Sequence, residues 1–354
     1  MRLSRVKPDQ TESPDGRFVR RVLIVLGLVA LTFVAWQLRS VLLMLFGAVV
    51  VATIVRAIAD PICRWTRMPN SVAVVLAALL IFGVIGGIAW LIGGQVTAQF
   101  EVLTRILPES IDKLQAWVAS LGLVDQLRNW RAAISSGSGI LSAVSVFMTS
   151  LANALANILI VIFGGIFIAA EPKFYRTGAI KLVPPARRAM VAEAILESER
   201  ALRLWLKGQL IAMVVIGVMT GAALWLLGVQ SWLVLGLLAG LLEFIPFAGP
   251  IIAAIPAVLI ALAQSTDLAL WTIAAYIVVQ HFESYLIQPL IQQYAVELPA
   301  VILLFSLLAF GVLFGPTGVV LAAPLAVVTY VLVKRLYVIE TLDTPTPIPG
   351  EDKG

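Results

Sequence analysis

Seven stretches of 16 or more residues in this chain contain no Asp, Glu, Lys or Arg: residues 22–38, 40–55, 68–100, 132–170, 208–242, 244–266 and 298–333. A helix needs about 20 apolar residues to cross roughly 30 Å of hydrocarbon, so most of these windows hold at least one membrane span and several have room for more. Composition agrees, with 60% hydrophobic and 13% charged residues against roughly 45–50% and about 25% in soluble domains. An all-α polytopic membrane protein is expected, with the lipid bilayer as its first partner.

Basic residues orient the spans. The tail carries Arg2, Arg5, Lys7, Arg17, Arg20 and Arg21, and the loop after the second span carries Arg56, Arg64 and Arg67, so both are expected on the cytoplasmic side. The first apolar run lacks a small-residue cleavage site and leads straight into a second span, which reads as a retained helix rather than a signal peptide. Residues 101–131 balance four basic against four acidic residues, whereas 171–207 hold eight basic and four acidic. The former is expected outside and the latter inside, as four spans from a cytoplasmic N-terminus require.

Both polar segments have helical periodicity: Phe100, Leu103, Leu107, Ile111, Leu114 and Val118 in one, Val191, Ile195, Leu202 and Trp205 in the other. The resulting organisation is a disordered cytoplasmic tail over 1–16, three spans over 17–94 and an extracytoplasmic amphipathic segment over 95–139. A fourth span over 140–170, a cytoplasmic amphipathic segment over 171–207, a core over 208–336 and a cytoplasmic tail over 337–354 complete it.

The core differs in kind. From Gly208 to Val333 there is no Lys or Arg, while Glu243, Asp267, His281, Glu283 and Glu297 remain. Two apolar blocks, "EFIPFAGPIIAAIPAVLIAL" from Glu243 and "LPAVILLFSLLAFGVLFGPTGVVLAAPL" from Leu298, are punctuated alike. Each has a Gly-Pro step, Gly249-Pro250 and Gly315-Pro316, with Pro256 or Pro324 downstream. Proline removes a backbone donor and clashes with the preceding turn, so breaks or hairpin tips are expected around Pro246, Gly249, Pro250, Pro256, Gly315, Pro316, Gly318 and Pro324. Freed backbone groups at membrane depth must be buried in protein or line a watery cavity, and paired Gly/Pro-interrupted segments point to a transport site. If each block dips and returns, the chain makes about six full spans plus two interrupted helical hairpins; if each crosses twice, eight to ten spans.

"EFIPFAGPIIAAIP", "VVQHFESYLIQPLIQQYAVELPA" and "GVLFGPTGVVLAAPLAVV", in combination over residues 205–335, resemble the signature half of the autoinducer-2 exporter family, also grouped as PerM-like permeases. The resemblance implies a multi-span transporter of the bacterial inner membrane, an oligomer of identical chains among its expected states. Its matching positions include Glu243, Pro246, Gly249, Pro250, Pro256, Glu283, Pro289, Gly315, Gly318 and Pro324. The family name reflects export of a small signalling molecule, while other members are described as sodium/proton antiporters.

The residues leave both cargoes open. Gln280, Gln288, Gln292, Gln293, Ser284 and Tyr285 suit a small polyhydroxylated solute, whereas cations prefer carboxylates and freed carbonyls. The glutamines serve equally well as interhelical hydrogen-bonding groups. The absence of Lys and Arg disfavours an anionic cargo. Glu243, with Glu283 as partner, is the expected site for a cation or coupling proton, because burial disfavours a charged carboxylate. His281 is a weaker candidate proton carrier, since it stands two residues from Glu283 and a regular helix points the two apart.

Other features have plainer roles. Gly83/Gly87, Gly217/Gly221 and Gly236/Gly240 are spaced for close helix packing. Trp36, Trp65, Trp90, Trp205, Trp225 and Trp232 stand where interfacial anchors would. The lone Cys63 and lone His281 give no disulfide and no histidine-rich metal centre. Without a P-loop, a G-x-S-x-G elbow or an HExxH pattern, the chain is expected to be neither an ATP-driven pump nor an enzyme, and to need no cofactor. The net charge of +5 does not imply a nucleic-acid partner, since in a membrane protein the positions of charges outweigh their sum. A secondary transporter is favoured over a non-transporting scaffold that recruits partners through its amphipathic segments.

Overall fold

The computed structural model of the protein describes residues 14–84, 86, 87, 90, 159–288, 298–344 and 346. The amphipathic segment 95–139, the first part of the fourth span, Pro289, Gln292, Gln293, Glu297, most of the N-terminal tail and half of the C-terminal tail lie outside the described residues. Every regular element within them is helical. Residues Met1–Met44 and Leu45–Gly354 form two compact units.

In the first unit, α1 (Pro14–Gln37) is followed by the first turn of α2 (Arg39–Thr66). The Arg39 guanidinium lies 4.5 Å over the Trp36 ring, a cation–π contact suited to a helix end at a membrane surface.

The second unit holds the remainder of α2, α3 (Asn70–Val84), α4 (Leu159–Ala170) and α5 (Pro172–Lys181). These are followed by α6 (Arg188–Leu226), α7 (Trp232–Leu242), α8 (Ala248–Gln264), α9 (Thr266–Phe282), α10 (Ala300–Phe314) and α11 (Pro316–Val333). Among the described residues three helical stretches are long and apolar enough to cross a membrane: Arg39–Thr66, Pro185–Leu226 and Pro316–Ile339. The outward faces of the helices of this unit are apolar, with Val214 and Val218 of α6, Ile251 and Ile255 of α8, and Phe305 and Val312 of α10 all exposed. On a soluble protein so much exposed hydrocarbon would aggregate; here it is the surface that lipid covers. The protein is an all-α membrane protein.

α6 runs unbroken through 39 residues, roughly 58 Å, about twice the thickness of a bilayer core. Its first half is charged and its second half uncharged, so only the second half has the composition of a span. At the boundary Arg203 reaches Asp60 of α2 at 2.9 Å and Glu199 at 3.2 Å, and Asp60 also meets Arg56 at 3.3 Å. Beyond α11, Arg335 pairs with Glu193 and lies 3.8 Å from Glu197. These pairs bring the charged ends of α2, α6 and α11 into one belt. Beneath it Val50, Leu202, Leu206, Val327 and Val331 form an apolar core.

α6 ends in a glycine cap. The N–H of Gly228 (φ 74°) donates to Trp225 O at 3.0 Å and that of Val229 to Leu224 O at 3.0 Å, while Leu224 and Val229 share an apolar cluster. This is a Schellman motif with its hydrophobic contact, and it turns the chain into α7. The glycines at 217, 221, 236 and 240 then mesh: a Cβ on Gly236 would lie 2.7 Å from Gly221 Cα, and one on Gly240 2.5 Å from Met213 O. α6 and α7 therefore touch backbone to backbone, as the small-residue spacing predicts. Gly83 and Gly87 have no described atom within 4 Å of a would-be Cβ.

Two more hairpins follow. Ser265 caps α9 by accepting the Leu268 N–H at 3.1 Å, with Asp267 favourably placed in the first turn. Tyr276 Oη donates to Ala253 O at 3.3 Å, tying α9 back along α8. α10 and α11 are joined at Gly315 (φ 68°). A Cβ at Gly311 would lie 3.0 Å from Val319, and Leu307 and Ala322 line one crevice, so these helices also run antiparallel.

The helix breaks fall at Glu243–Phe247 and at Gly315, but two expected breaks are absent. Pro256 lies inside α8 and Pro324 inside α11, and both helices continue through them. Each proline removes one backbone bond, and the packed neighbouring helices hold the rest of the ladder in place. Pro250 sits in the first turn of α8 and Pro316 opens α11, positions whose N–H groups need no intrahelical acceptor. Trp205 also departs from expectation: it is 9% exposed and packs edge-on against Phe244, with ring centroids 6.0 Å apart. It is a core residue, because its helical face turns towards α11 rather than outward. Trp36, Trp65, Trp90 and Trp225 are exposed.

Candidate functional site

At the end of α7 the chain leaves helical geometry for five residues, and here the backbone takes its bonds from several sources. Ile245 N–H donates to Leu242 O at 2.9 Å and Gly249 N–H to Ile245 O at 2.8 Å. The carbonyl of Glu243 is satisfied from another helix: Gln209 Nε2 of α6 donates to it at 2.7 Å. Gly249 makes the tight return possible, since a Cβ there would collide with Leu242 O. Gly318 does the same at the second hairpin, where a Cβ would strike Phe310 O.

The break opens one side of a cavity of about 430 Å³. Trp205, Gln209 and Ala212 of α6 form one wall; Glu243, Pro246, Phe247, Pro250 and Ile251 form the second. The end of α9 and the widened turn after it contribute Gln280, Glu283, Ser284, Ile287 and Gln288, and Leu298, Ala300 and Leu303 close the remaining side. Glu283 begins a π-turn, Glu283–Ile287, a local irregularity of a kind frequent at functional sites.

Glu243 and Glu283 are 3% and 5% exposed, and they are the only buried ionisable side chains among the described residues. They stand close enough for each carboxyl group to act on the other. Gln280 Nε2 donates to Glu283 Oε2, while Glu243 Oε2 is buried without a donor. Among the described residues the lining contains amides, a hydroxyl and two acids, and no Lys, Arg or His. Such a site can hold a proton or a cation between two acids, or a neutral solute that exchanges hydrogen bonds with amides. It offers nothing to an anion.

Gln209 lies six residues beyond Arg203, which puts the acids roughly 9 Å along α6 from the belt of ion pairs. About 26 Å of α6 remains between Gln209 and Leu226. The cavity is therefore displaced towards the charged ends of α2, α6 and α11.

Of the residues singled out in the sequence, the fold brings Glu243, Glu283, Gln280, Gln288, Pro246 and Pro250 to one cavity. His281 is not among its walls: it is exposed, its Nδ1 is 2.8 Å from Ile277 O, and its ring neighbours Tyr285. Gly315 and Gly318 shape the neighbouring hairpin. Gln209, Trp205 and Phe247 were missed as site residues. The signal for the first two was present, since Trp205, Gln209 and Ala212 recur at helical spacing and Gln209 is the first polar side chain inside the charge-free half of α6.

Comparison with known proteins agrees with this architecture. Residues 24–337 match the family described as AI-2E family transporter. The chain is 24% identical over 313 residues to YrrI of Bacillus subtilis (strain 168), covering 81% of this chain and 85% of that protein. It is 23% identical over 335 residues to the AI-2 transport protein TqsA of Escherichia coli (strain K12), covering 89% and 92%. A match of this length takes in both helix breaks, the glycine seam and every wall of the cavity, and the chain accordingly belongs to the AI-2E transporter family.

Proposed function

We propose that this protein is a secondary transporter that exports a small polar solute, similar to autoinducer-2, through the cavity at the Glu243–Phe247 break, driven by an ion gradient. The observation that carries this reading is the meeting of the two buried acids at one polar cavity beside broken backbone. A packing role alone gives no reason to bury two carboxyl groups side by side, because ionised carboxylates in low dielectric repel and lose their hydration. The similarity to a protein named for AI-2 transport supports the solute class.

A second reading, exchange of a monovalent cation for a proton, is favoured by Glu243 Oε2, buried without a donor. A cation or a proton completes that arrangement. In both readings the charged belt faces the cytoplasm of a bacterial inner membrane, by the positive-inside rule, with both termini on that side. α8 and α10 have 17 and 15 residues, roughly 26 and 22 Å, each short of a full perpendicular crossing, whereas α9 continues through the π-turn to Gln288 and α11 through Ile339.

Flux into proteoliposomes containing the pure protein tests the proposal, using small polyols, sodium and potassium, with and without a pH gradient. Gradient-dependent polyol movement supports export, and cation-dependent proton movement without polyol flux supports the antiporter. Absence of any flux from correctly folded protein overturns both.

A further inference from the structure

The break holds a strained residue. Phe247 has φ 64° and ψ −47°, outside the regions open to residues with a β-carbon, and the Ala248 N–H donates to Pro246 O at 2.7 Å. A bond from residue i+2 back to residue i around a positive-φ centre is the rare, strained form of the γ-turn. Such geometry persists only where the surroundings enforce it.

Phe247 also stands between the polar cavity and a closed crevice with no room for water. With Pro246 it lines the polar cavity, and the same two residues line the crevice against Leu303, Leu307, Ala322 and Ala323 of the α10–α11 hairpin. The ring is 44% exposed, so packing does not clamp it. What holds this stretch of chain is at its ends: Gln209 grips the carbonyl of Glu243, and Gly249 is pressed against Leu242 O.

We propose that the Pro246–Ala248 turn is a gate, with Phe247 as its plug between the cavity and the α10–α11 crevice and Gln209 as the latch that keeps it strained and shut. Releasing the latch lets Phe247 relax to negative φ, which swings the ring out of the partition and joins the two spaces. This rests on the transport reading for its purpose, but its geometry can be tested without flux.

The test uses the full-length protein in detergent, in a Cys63→Ser background with Leu307→Cys as a reporter in the crevice. A small cationic methanethiosulfonate reagent should label this cysteine roughly tenfold faster after Phe247→Ala, which removes the plug, and after Gln209→Leu, which removes the latch. Phe247→Gly should melt at a higher temperature than Phe247→Ala, because glycine alone adopts this conformation without strain. It also serves as the plug-less variant if Phe247→Ala does not fold. Labelling unchanged by loss of the ring, or unchanged by Gln209→Leu, overturns the gate, as does equal melting of the Gly and Ala variants. Labelling as expected in a protein that moves no solute or ion leaves the gate standing and removes the transport reading.

Discussion

Glycine brings backbone against backbone at the α6–α7 seam and again at the Glu243–Phe247 break, with opposite consequences. Along α6 and α7, Gly217, Gly221, Gly236 and Gly240 sit in regular helix and mesh into a closed seam made almost entirely of backbone. Seven residues after α7 ends, in the first turn of α8, Gly249 again lets a carbonyl approach, but here the helix has just been interrupted and the approach bends the chain around a polar cavity. The difference lies in what accompanies the glycine. In the seam its neighbours are apolar and the hydrogen-bond ladder is intact. At the break, two prolines withdraw donors and an acid lies beside the interrupted backbone. Close approach without a broken ladder gives stability; close approach with one gives an opening whose groups remain available to a ligand.

The contrast is broken most severely at the seam. Gly236→Val should prevent the α6–α7 contact, since even a Cβ would lie 2.7 Å from Gly221 Cα and 2.8 Å from Gly217 O. Backbone cannot give way as a side chain can, so a loss of about 3 kcal/mol or more is expected. Thermal unfolding in detergent and recovery from membranes measure it; wild-type melting would show that the seam is not tightly held.

At the break the expected result is reversed, with function lost and fold kept. Glu243→Gln preserves shape and leaves an amide where a carboxyl group was, so melting should stay near wild type while coupled flux falls by about tenfold or more. Glu283→Gln should lower coupled flux as well, because it removes the second of the two carboxyl groups that meet at the cavity. Wild-type flux in both variants would make the acids packing groups.

How much of this was readable beforehand follows the same division. The seam was legible because glycine spacing maps directly onto a helix face, and the breaks were legible because Gly-Pro steps stand out in uncharged blocks. Register was not. Nothing local shows that Gln209 would be level with Glu243 once α7 folds back along α6, or that a π-turn begins at Glu283. Pro256 and Pro324 misled, because a proline marks a lost bond and leaves undecided whether neighbouring helices carry the turn through. His281 and Trp205 illustrate the same limit from two sides: the histidine turned outward and the tryptophan inward, according to helix faces fixed by tertiary packing.

A milder probe separates the two kinds of glycine contact. Gly217→Ala would place a Cβ 3.2 Å from Gly236 O and 3.3 Å from Gly240 Cα, tight but within a few tenths of an ångström of ordinary contact. A loss of about 1–2 kcal/mol is expected. Gly249→Ala has no such margin, because its Cβ would collide with Leu242 O. It should distort the break and reduce flux beyond what its change in melting accounts for. If both variants lose flux only in proportion to stability, the break is an ordinary packing contact.

The smallest effect is expected where the charged belt meets the uncharged halves of the helices. Asp60 joins Arg56 and Arg203 at 3.3 and 2.9 Å, and its side chain is 28% exposed. Partly hydrated pairs contribute little, so Asp60→Asn should lower stability by at most about 1 kcal/mol, with less effect at high salt. The variant leaves the Lys and Arg of this region unchanged, and these set the orientation proposed above. Cysteine-labelling topology should therefore be unchanged: a cysteine placed at Ser198, beside the belt, should stay protected from an impermeant reagent added outside intact cells. Labelling at Ser198 from outside, in either background, would reverse the orientation assigned to the belt and put the cavity nearer the opposite face of the membrane.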